Sequence, residues 1–162
     1  MSSLSEEIRA AIAPRGRTLL ITVGSALRAD DGVGAFVGEN LSFSGAARLV
    51  INAYDTPENI AQDAIDFKPE KIVLIDAARF GGKPGELRII PFDAINRHAV
   101  ISTHNFPLSV TFSVIAEDTG AELVVLGIEP GSTGYTECLS PEVKDSALNL
   151  VQYFNNIDTD VP

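Results

Sequence analysis

Residues 18–34 read TLLITVGSALRADDGVG, and this stretch contains the pattern that decides the fold. The run from Thr18 to Val23 is apolar or β-branched and ends at Gly24, which is typical of a buried parallel strand. After the two aspartates, apolar residues recur at helical spacing, so a helix is predicted to begin near Asp31. A strand, a glycine-bracketed loop and a helix in this order indicate an α/β protein, in which such loops receive ligands.

Further apolar runs alternate with helical patterns along the rest of the chain. Strands are also predicted at 48–51, 71–75, 86–92 and 122–128. Pro91 predicts that the strand over 86–92 lies at an edge of the sheet, because proline cannot donate to a neighbouring strand. We therefore expect a twisted, mostly parallel sheet of about five strands.

Three further helices are predicted between these strands and after the last of them. One begins at Thr56-Pro57, one covers 106–116 and one begins at Ser140-Pro141, with Thr56 and Ser140 as N-caps. Helices between successive strands cover both faces of a sheet, so the expected fold is a three-layer α/β/α arrangement forming a single domain over 1–162. The N-terminal segment 1–16 and the C-terminal tail 156–162 are expected to be peripheral.

Composition and charge restrict the class of protein and its partners. The net charge is −10, whereas a nucleic-acid backbone is held by a basic surface, so a nucleic-acid partner is not expected. The single cysteine, Cys138, can form no internal disulfide, which favours the cytoplasm. No apolar run approaches the roughly 18 residues of a membrane span, so no membrane partner is expected. An acidic monomer is the expected state in solution.

Acidic and amide side chains follow most of the predicted strands. They are Asp30 and Asp31, Asn52 and Asp55, Asp76, and Glu129. Because the carboxyl ends of parallel strands meet at one edge of the sheet, these groups are expected to lie together. His104, directly before a predicted helix, can reach the same edge. Asp31, Asp76 and His104 would then suit a divalent ion such as zinc, nickel or manganese, with coordination positions left open.

Each of these three residues also has a purely structural interpretation. Asp31 could cap the following helix, Asp76 could order the loop after its strand, and His104 could begin its own helix. A nucleotide site is disfavoured, because the glycines lack G-x-G-x-x-G spacing and no G-K-[ST] occurs. A serine triad is disfavoured as well, because no G-x-S-x-G elbow occurs.

Five motifs occur in an order that resembles one known family. They are GSALRADDGVG (24–34), TPEN (56–59), LIDAARFGGKPGELRII (74–90), STHNFPLS (102–109) and LGIEP (126–130). In sequence and in order they resemble the motifs of the nickel–iron hydrogenase maturation endopeptidases. The resemblance extends from Leu19 to Phe154, and five ordered motifs are more specific than any one of them.

The resemblance implies a fold, an activity and a site. The implied fold is the twisted, mostly parallel sheet already expected, and the implied activity is removal of the C-terminal extension of a hydrogenase large-subunit precursor after nickel insertion. By motif, Asp31, Asp76 and His104 would bind the metal and are the candidate catalytic residues. Asp30 would orient Asp31 or its loop without contacting the metal. The implied ion is nickel presented by the precursor, although another divalent ion could occupy the resting site.

Two positions depart from the pattern of the family. Ser25 stands where members usually have Asn, and Asn52 stands where they commonly have Asp. If that acid activates water, another group must replace it here, and Asp55 and Asp30 are the nearest candidates. The alternative function is a non-catalytic module that binds the nickel centre as a checkpoint, and a more distant alternative is a phosphorylase-like or small-molecule hydrolase.

Overall fold

The computed structural model describes residues 4–92, 101–102, 108–132 and 138–157. Its six strands are β1 (Thr18–Val23), β2 (Arg48–Tyr54), β3 (Lys71–Arg79), β4 (Leu87–Ile90), β5 (Ile101–Ser102) and β6 (Glu122–Ile128). Its five α-helices are α1 (Glu6–Ile12), α2 (Val33–Asn40), α3 (Ala61–Phe67), α4 (Leu108–Thr119) and α5 (Pro141–Asn155). Two 3-10 helices cover Ala29–Gly32 and Pro57–Asn59.

The sheet has the strand order β2-β1-β3-β6-β4, with β5 paired to β3 outside this path. Strands β2, β1, β3 and β6 are parallel, and β4 joins β6 in the antiparallel sense at one edge. The predicted mostly parallel sheet and the edge position of the strand before Pro91 are both confirmed. The short β5 was not predicted, because two residues carry no detectable periodicity.

Helices cover both faces of the sheet, which gives the expected three layers. On one face, α1, α2 and α5 bury Ile12, Val37 and Leu150 against the sheet. On the other face, α3 and α4 bury Ala64 and Ile115. Because successive strand residues point to opposite faces, β3 contributes Val73 and Ile75 to the first core and Ile72 and Leu74 to the second. No helix in the described ranges is long and apolar enough to cross a membrane.

Several sequence predictions about local structure are wrong. The N-terminal segment is not peripheral throughout, because α1 is packed into the first core, with Ile8 and Ile12 buried. Neither predicted N-cap makes a capping hydrogen bond: the Thr56 hydroxyl donates to the carbonyl of Ala53, and the Ser140 hydroxyl donates to Asp30. After Thr56 a 3-10 helix follows before α3 begins at Ala61. Residues 158–162 of the predicted tail lie outside the described residues.

Strand β3 is longer than predicted, and this changes the position of Asp76. The sequence places Asp76 after the strand, but the strand continues to Arg79. Pairing with β6 extends to Ala77, and Ala78 and Arg79 pair with Ser102 and Ile101 of β5. Asp76 therefore lies within the sheet, near the carboxyl end of β3, because β6 and β5 pair with the residues that follow it.

Candidate active site at the carboxyl end of the sheet

The loop after β1 is folded tightly against the end of that strand. A Cβ atom at Gly34 would overlap the carbonyl of Val23, and one at Gly24 would overlap the carbonyl of Asp31. The amide of Gly24 also donates to the carbonyl of Tyr54, at 2.7 Å, which joins this loop to the end of β2. The glycines around the two aspartates are thus required by close backbone approach, and they hold the aspartates at the carboxyl end of the sheet.

Asp30 is a fully buried carboxylate that joins three parts of the chain. Its Oδ2 accepts hydrogen bonds from the amides of Gly131 (2.8 Å) and Ser132 (2.7 Å) and from the hydroxyl of Ser140 (2.6 Å). Its Oδ1 accepts from the amide of Ser140 at 2.7 Å. The Asp30 amide in turn donates to the carbonyl of Ser132. The 3-10 helix Ala29–Gly32 is therefore fixed to the loop after β6 and to the start of α5.

The hydrogen bonds of Asp30 also determine its ionisation. Burial by itself would raise the pKa of Asp30, but hydrogen bonds from the Ser140 hydroxyl and from the amides of Ser132, Ser140 and Gly131 outweigh it, so the pKa lies below its ordinary value. Asp30 is a charged structural group whose four donors come from its own chain. The sequence predicted Ser140 only as an N-cap, and no sequence signal pairs it with Asp30.

Asp31 is the next residue, and its surroundings are different. It is buried, at 2% exposure, and its Oδ2 lies 3.6 Å from the Nε of the partly exposed Arg28. Arg28 lies one turn earlier in the chain, so it faces Asp31 from the loop itself. The two adjacent aspartates thus have separate surroundings, Asp30 facing the loop after β6 and Asp31 facing the arginine of its own loop.

Asp76 is buried on β3, at 4% exposure. The preceding residue, Ile75, pairs with Thr22 near the end of β1, and Asp76 itself pairs with Gly127 of β6. By the alternation of the strand, Asp76 shares a face with Leu74 and Ala78, which is the face covered by α3 and α4. The 3-10 helix that carries Asp31 contacts β3. The structure therefore places Asp31 and Asp76 at the carboxyl end of the sheet, on two segments that contact one another.

His104 lies outside the described residues, so its position relative to the two aspartates is not established. Within the described ranges, no three His, Cys, Asp or Glu side chains form a group that could hold a metal ion. Of the predicted ligand set, the described residues therefore include the two buried carboxylates of Asp31 and Asp76. The predicted ligand set of Asp31, Asp76 and His104 remains a prediction.

Two other residues singled out by sequence have structural roles. Glu129 is buried, and its Oε2 accepts from the amide of Phe80 at 3.0 Å, which fixes the loop between β3 and β4. Asn52 is half-buried beneath α2: its Nδ2 donates to the carbonyl of Ala35, at 3.2 Å, and its Oδ1 accepts from the amide of Tyr54, at 3.3 Å. An aspartate at position 52 could not make the first of these bonds, so the amide suits its surroundings.

The chemistry available at this end of the sheet is that of buried carboxylates. Carboxylates buried at one end of the sheet favour a bound cation and disfavour phosphate. The arrangement agrees with a metal-recognition site and disagrees with a nucleotide site. The close backbone approach at the glycines and the Asp30 hydrogen bonds hold the loop against its neighbours.

Comparisons with known proteins give one consistent family. The family model HycI, described as hydrogenase maturation protease, matches residues 45–156. The Hydrogenase 3 maturation protease of Escherichia coli K12 is 31% identical over 135 residues, which cover 83% of this chain and 86% of that protein.

Solved structures of similar proteins share the fold over most of their length. The crystal structure of a NiFe hydrogenase maturation protease HycI from Thermococcus kodakarensis aligns with a TM-score of 0.82 at 31% identity, covering 94% of this chain and 98% of that one. The solution structure of an endopeptidase HycI from Escherichia coli aligns with a TM-score of 0.73 at 29% identity, covering 85% and 88% of the two chains.

Proposed function

This chain belongs to the hydrogenase maturation protease family, whose members are peptidases, and from that premise we propose its substrate and its site. The substrate is the large-subunit precursor of a nickel–iron hydrogenase, from which the protein removes the C-terminal extension after nickel has been inserted. The supporting observation is the pair of buried carboxylates, Asp31 and Asp76, at the end of the sheet where α/β proteins bind ligands. The protein acts as a monomer in the cytoplasm.

We infer that Asp31, Asp76 and His104 bind the nickel ion that the precursor presents. Support for including His104 comes from the register of β5, whose last residue, Ser102, pairs with Ala78. Ala78 is two residues from Asp76 along β3, and His104 is two residues from Ser102. Because β5 is antiparallel to β3, it runs in the direction from Arg79 toward Asp76, and this direction supports His104 as the third ligand.

The donor set suits an ion that arrives with the substrate. Two carboxylates and one imidazole are fewer than the four ligands of a structural zinc site, and they include no thiolate. An ion already held by the precursor would use these donors to complete its coordination, so only a loaded precursor would be fixed in place. The ion supplies positive charge beside the scissile bond, and the protein supplies the orientation.

Asp30 acts as a positioning residue in this proposal. Its four hydrogen bonds hold the 3-10 helix against the loop after β6, and Asp31 is the next residue on that helix. Arg28 lies beside the Asp31 carboxylate and balances its charge until the cation arrives. Asp55 is exposed, and its acidic side chain remains available to the reaction at the end of β2.

The test is cleavage of purified precursor in its nickel-loaded and nickel-free forms, with the mass of the product read by mass spectrometry. We expect loss of the C-terminal extension from the loaded form only. Cleavage of both forms would refute nickel recognition while leaving the peptidase activity intact. Binding of the loaded form without cleavage would refute hydrolysis and support the checkpoint alternative.

The His104→Ala variant tests the third ligand. We expect it to lose cleavage of the loaded precursor while its thermal unfolding stays close to that of the wild type. His98→Ala is the matched control, because it removes the other histidine of the chain. Normal cleavage by His104→Ala would remove this residue from the site.

A further inference from the structure

Strand β2 lies at one edge of the sheet, and its outer side is open. In the described part of the chain, β1 is the only strand that pairs with β2. Residues 48–52 are all half-buried, whereas every residue of β1 is buried. Leu49 and Ile51 pack against one core and Val50 packs against the other. The side chains of β2 are therefore covered on both faces of the sheet, while the edge of the strand reaches solvent.

The hydrogen bonds between β1 and β2 show which backbone groups of β2 point outward. The amide of Thr18 donates to the carbonyl of Ala47, at 3.0 Å. The residues that bond to one neighbour alternate along a strand, so every second residue from Ala47 onward faces β1. The residues between them face away from β1. Val50 and Asn52 therefore each direct an amide and a carbonyl away from the sheet.

The two edges of the sheet differ in their protection against pairing with another strand. At the far edge, β4 has four residues and Pro91 follows it, and short strands and prolines are common means of preventing edge pairing. Strand β2 has seven residues, RLVINAY, with no proline or lysine. Its one charged residue, Arg48, donates to the carbonyls of Gly16 and Ala47 and is thereby held on its own chain. Over residues 48–52, β2 is thus an unprotected apolar edge.

A bulge directs the end of β2 toward the candidate active site. The pairing with β1 shifts by one residue after Asn52, so Ala53 has no counterpart on β1. Tyr54 follows with a φ of 52°, and its carbonyl accepts from the amide of Gly24. Bulges re-aim the chain beside active sites. The open edge therefore ends next to the loop that carries Asp31.

We propose that an extended segment of the precursor polypeptide pairs with the outer edge of β2, and this rests on the function proposed above. The segment is apolar, because the half-buried Leu49, Val50 and Ile51 are the side chains beside it. It contains no proline where it pairs, because each bonded residue must supply an amide as well as a carbonyl. Pairing holds the polypeptide extended beside the site, so binding away from the reacting bond helps to orient that bond.

A second copy of this chain is the other occupant that such an edge could accept. The net charge of −10 opposes this association. A second copy would also bring the helices that cover its own β2, and α2 already contacts β2 here. A single extended segment needs the width of one strand, about 5 Å. The edge therefore fits a segment of the precursor better than a second copy.

The strand order sets the distance between the paired segment and the site. Strand β3, which carries Asp76, is separated from a strand added at this edge by β2 and β1. Three strand spacings amount to about 14 Å, which an extended chain crosses in about four residues. The paired segment should therefore lie at least about four residues from the part of the precursor that reaches Asp76.

Hydrogen exchange at single amides tests the pairing directly in the wild-type protein. Nickel-loaded precursor should slow exchange of the Val50 and Asn52 amides by about tenfold or more, because both become hydrogen-bonded. The Ile51 amide faces β1 in the free protein as well, so its exchange should change little and serves as the internal control. Unchanged exchange at Val50 and Asn52 in the complex would overturn the pairing. Slowing of the same amides with rising protein concentration, without precursor, would assign the edge to a second copy and overturn it too.

Proline substitution tests the same edge through the reaction. Val50→Pro removes the outward amide and places a ring where the segment would pair. KM for the nickel-loaded precursor should therefore rise about tenfold, while kcat stays within about twofold. The exchange measurement uses the wild type, so it decides the question even where Val50→Pro does not fold.

Ile89→Pro is the matched control on the far edge. Ile89 and Val50 are half-buried apolar residues that pack against the same core. The carbonyl of Glu86 accepts from the amide of Glu129, so by alternation the amide of Ile89 also points outward. KM of Ile89→Pro should stay within about twofold of the wild type. An unchanged KM in Val50→Pro, or an equal rise in both variants, would overturn the assignment of the segment to β2.

The dissociation constant of the nickel-loaded precursor separates the failure of pairing from the failure of the proposed function. Slowed exchange at Val50 and Asn52 without cleavage would refute processing of this precursor and support the pairing. Cleavage without slowed exchange would refute the pairing alone. Absence of any binding to the precursor would refute both.

Discussion

Strand β3 buries a charged side chain near each of its ends, and the two are equally inaccessible. Lys71, at the amino end, and Asp76, near the carboxyl end, are both 4% exposed. Lys71 donates from its Nζ to the carbonyl of Ala13, at 2.6 Å, and lies close to both members of the ion pair between Arg15 and Glu122. Asp76 lies at the end of the sheet where Asp30 and Asp31 are also buried.

Charged groups at the amino end are satisfied by the backbone around them. The guanidinium of Arg17 donates to the carbonyls of Phe67 and Ala46 and covers the ring of Phe67 at 4.2 Å. The amide of Arg17 donates to Oε2 of Glu70 at 3.1 Å. Charged groups at this end of the sheet are paired with backbone carbonyls or with opposite charges, and these pairings stabilise the fold.

The carboxyl end gathers buried groups of one sign. Carboxylates near one another raise the cost of folding unless donors or a cation offset their repulsion. For Asp30 four donors come from the chain itself, and Asp31 and Asp76 are the residues that we propose bind a substrate-borne cation. We therefore propose that equal burial of a charged residue serves stability at the amino end and ligand recognition at the carboxyl end.

The largest expected effect is on activity at the carboxyl end. Asp76→Asn should reduce cleavage of the loaded precursor by about 100-fold or more, because loss of this proposed metal ligand should cost at least as much as loss of a residue that supports one. Lys71→Met, on the same strand, should leave cleavage unchanged. Initial rates measured on both variants test this contrast, and equal rates would remove the functional distinction between the two ends.

The next largest effect is on stability at Asp30. Asp30→Asn should lower the free energy of unfolding by about 2–4 kcal/mol, because the neutral amide loses charge-assisted bonds and places an NH2 group against buried donors. Urea denaturation measures this loss. Ser140→Ala, which removes only the hydroxyl donor, should lose about 1–2 kcal/mol and serves as the graded comparison.

The pH dependence gives an independent check on Asp30. The folded-state pKa of Asp30 is depressed, so its contribution to stability is fully present above the unfolded pKa of about 4 and is lost as pH falls through the lower folded value. The difference in unfolding free energy between the wild type and Asp30→Asn should therefore shrink below about pH 4. A difference that stays constant over that range would contradict the ionised, hydrogen-bonded state.

A smaller effect on stability is expected at Tyr54, whose backbone has a positive φ. Tyr54→Gly removes the cost of a positive φ, which is about 1 kcal/mol, and the greater freedom of glycine in the unfolded chain offsets part of this gain. Loss of the hydrogen bond between Tyr54 and Glu39 offsets more of it. The free energy of unfolding in urea should therefore change by less than about 1 kcal/mol. Lys68→Gly, at another left-handed residue, should raise it by a similar small amount.

The smallest effect is expected from Lys71→Met at neutral pH. Burial lowers the pKa of Lys71; Glu122 raises it in part and Arg15 lowers it further. The charged form therefore costs stability that the hydrogen bond to Ala13 offsets, and the variant should differ by less than about 1 kcal/mol. As pH rises from the folded-state pKa of Lys71 toward its unfolded-state pKa of about 10.4, the wild type should gain stability relative to the variant. Thermal unfolding across this range measures the gain.

Much of the fold followed from local pattern. The strands over 18–23 and 122–128 coincide with β1 and β6, because a run of apolar and β-branched residues bounded by polar ones marks a buried strand. The expectation that segment 1–16 is peripheral was wrong, because the burial of α1 depends on contacts with β4 and β6, which are distant in sequence. The extension of β3 through Asp76 likewise depends on pairing with β5 and β6.

By itself, the sequence determined the α/β class, the edge strand before Pro91, and the presence of acidic residues at the carboxyl ends of strands, since each is a property of neighbouring residues. Only the tertiary structure separated the two adjacent aspartates. Asp30 is bonded to Gly131, Ser132 and Ser140, about 100 residues away along the chain, whereas Asp31 lies beside the arginine of its own loop. A local pattern cannot encode which distant donors a buried carboxylate meets, because packing of α5 and the loop after β6 decides that contact.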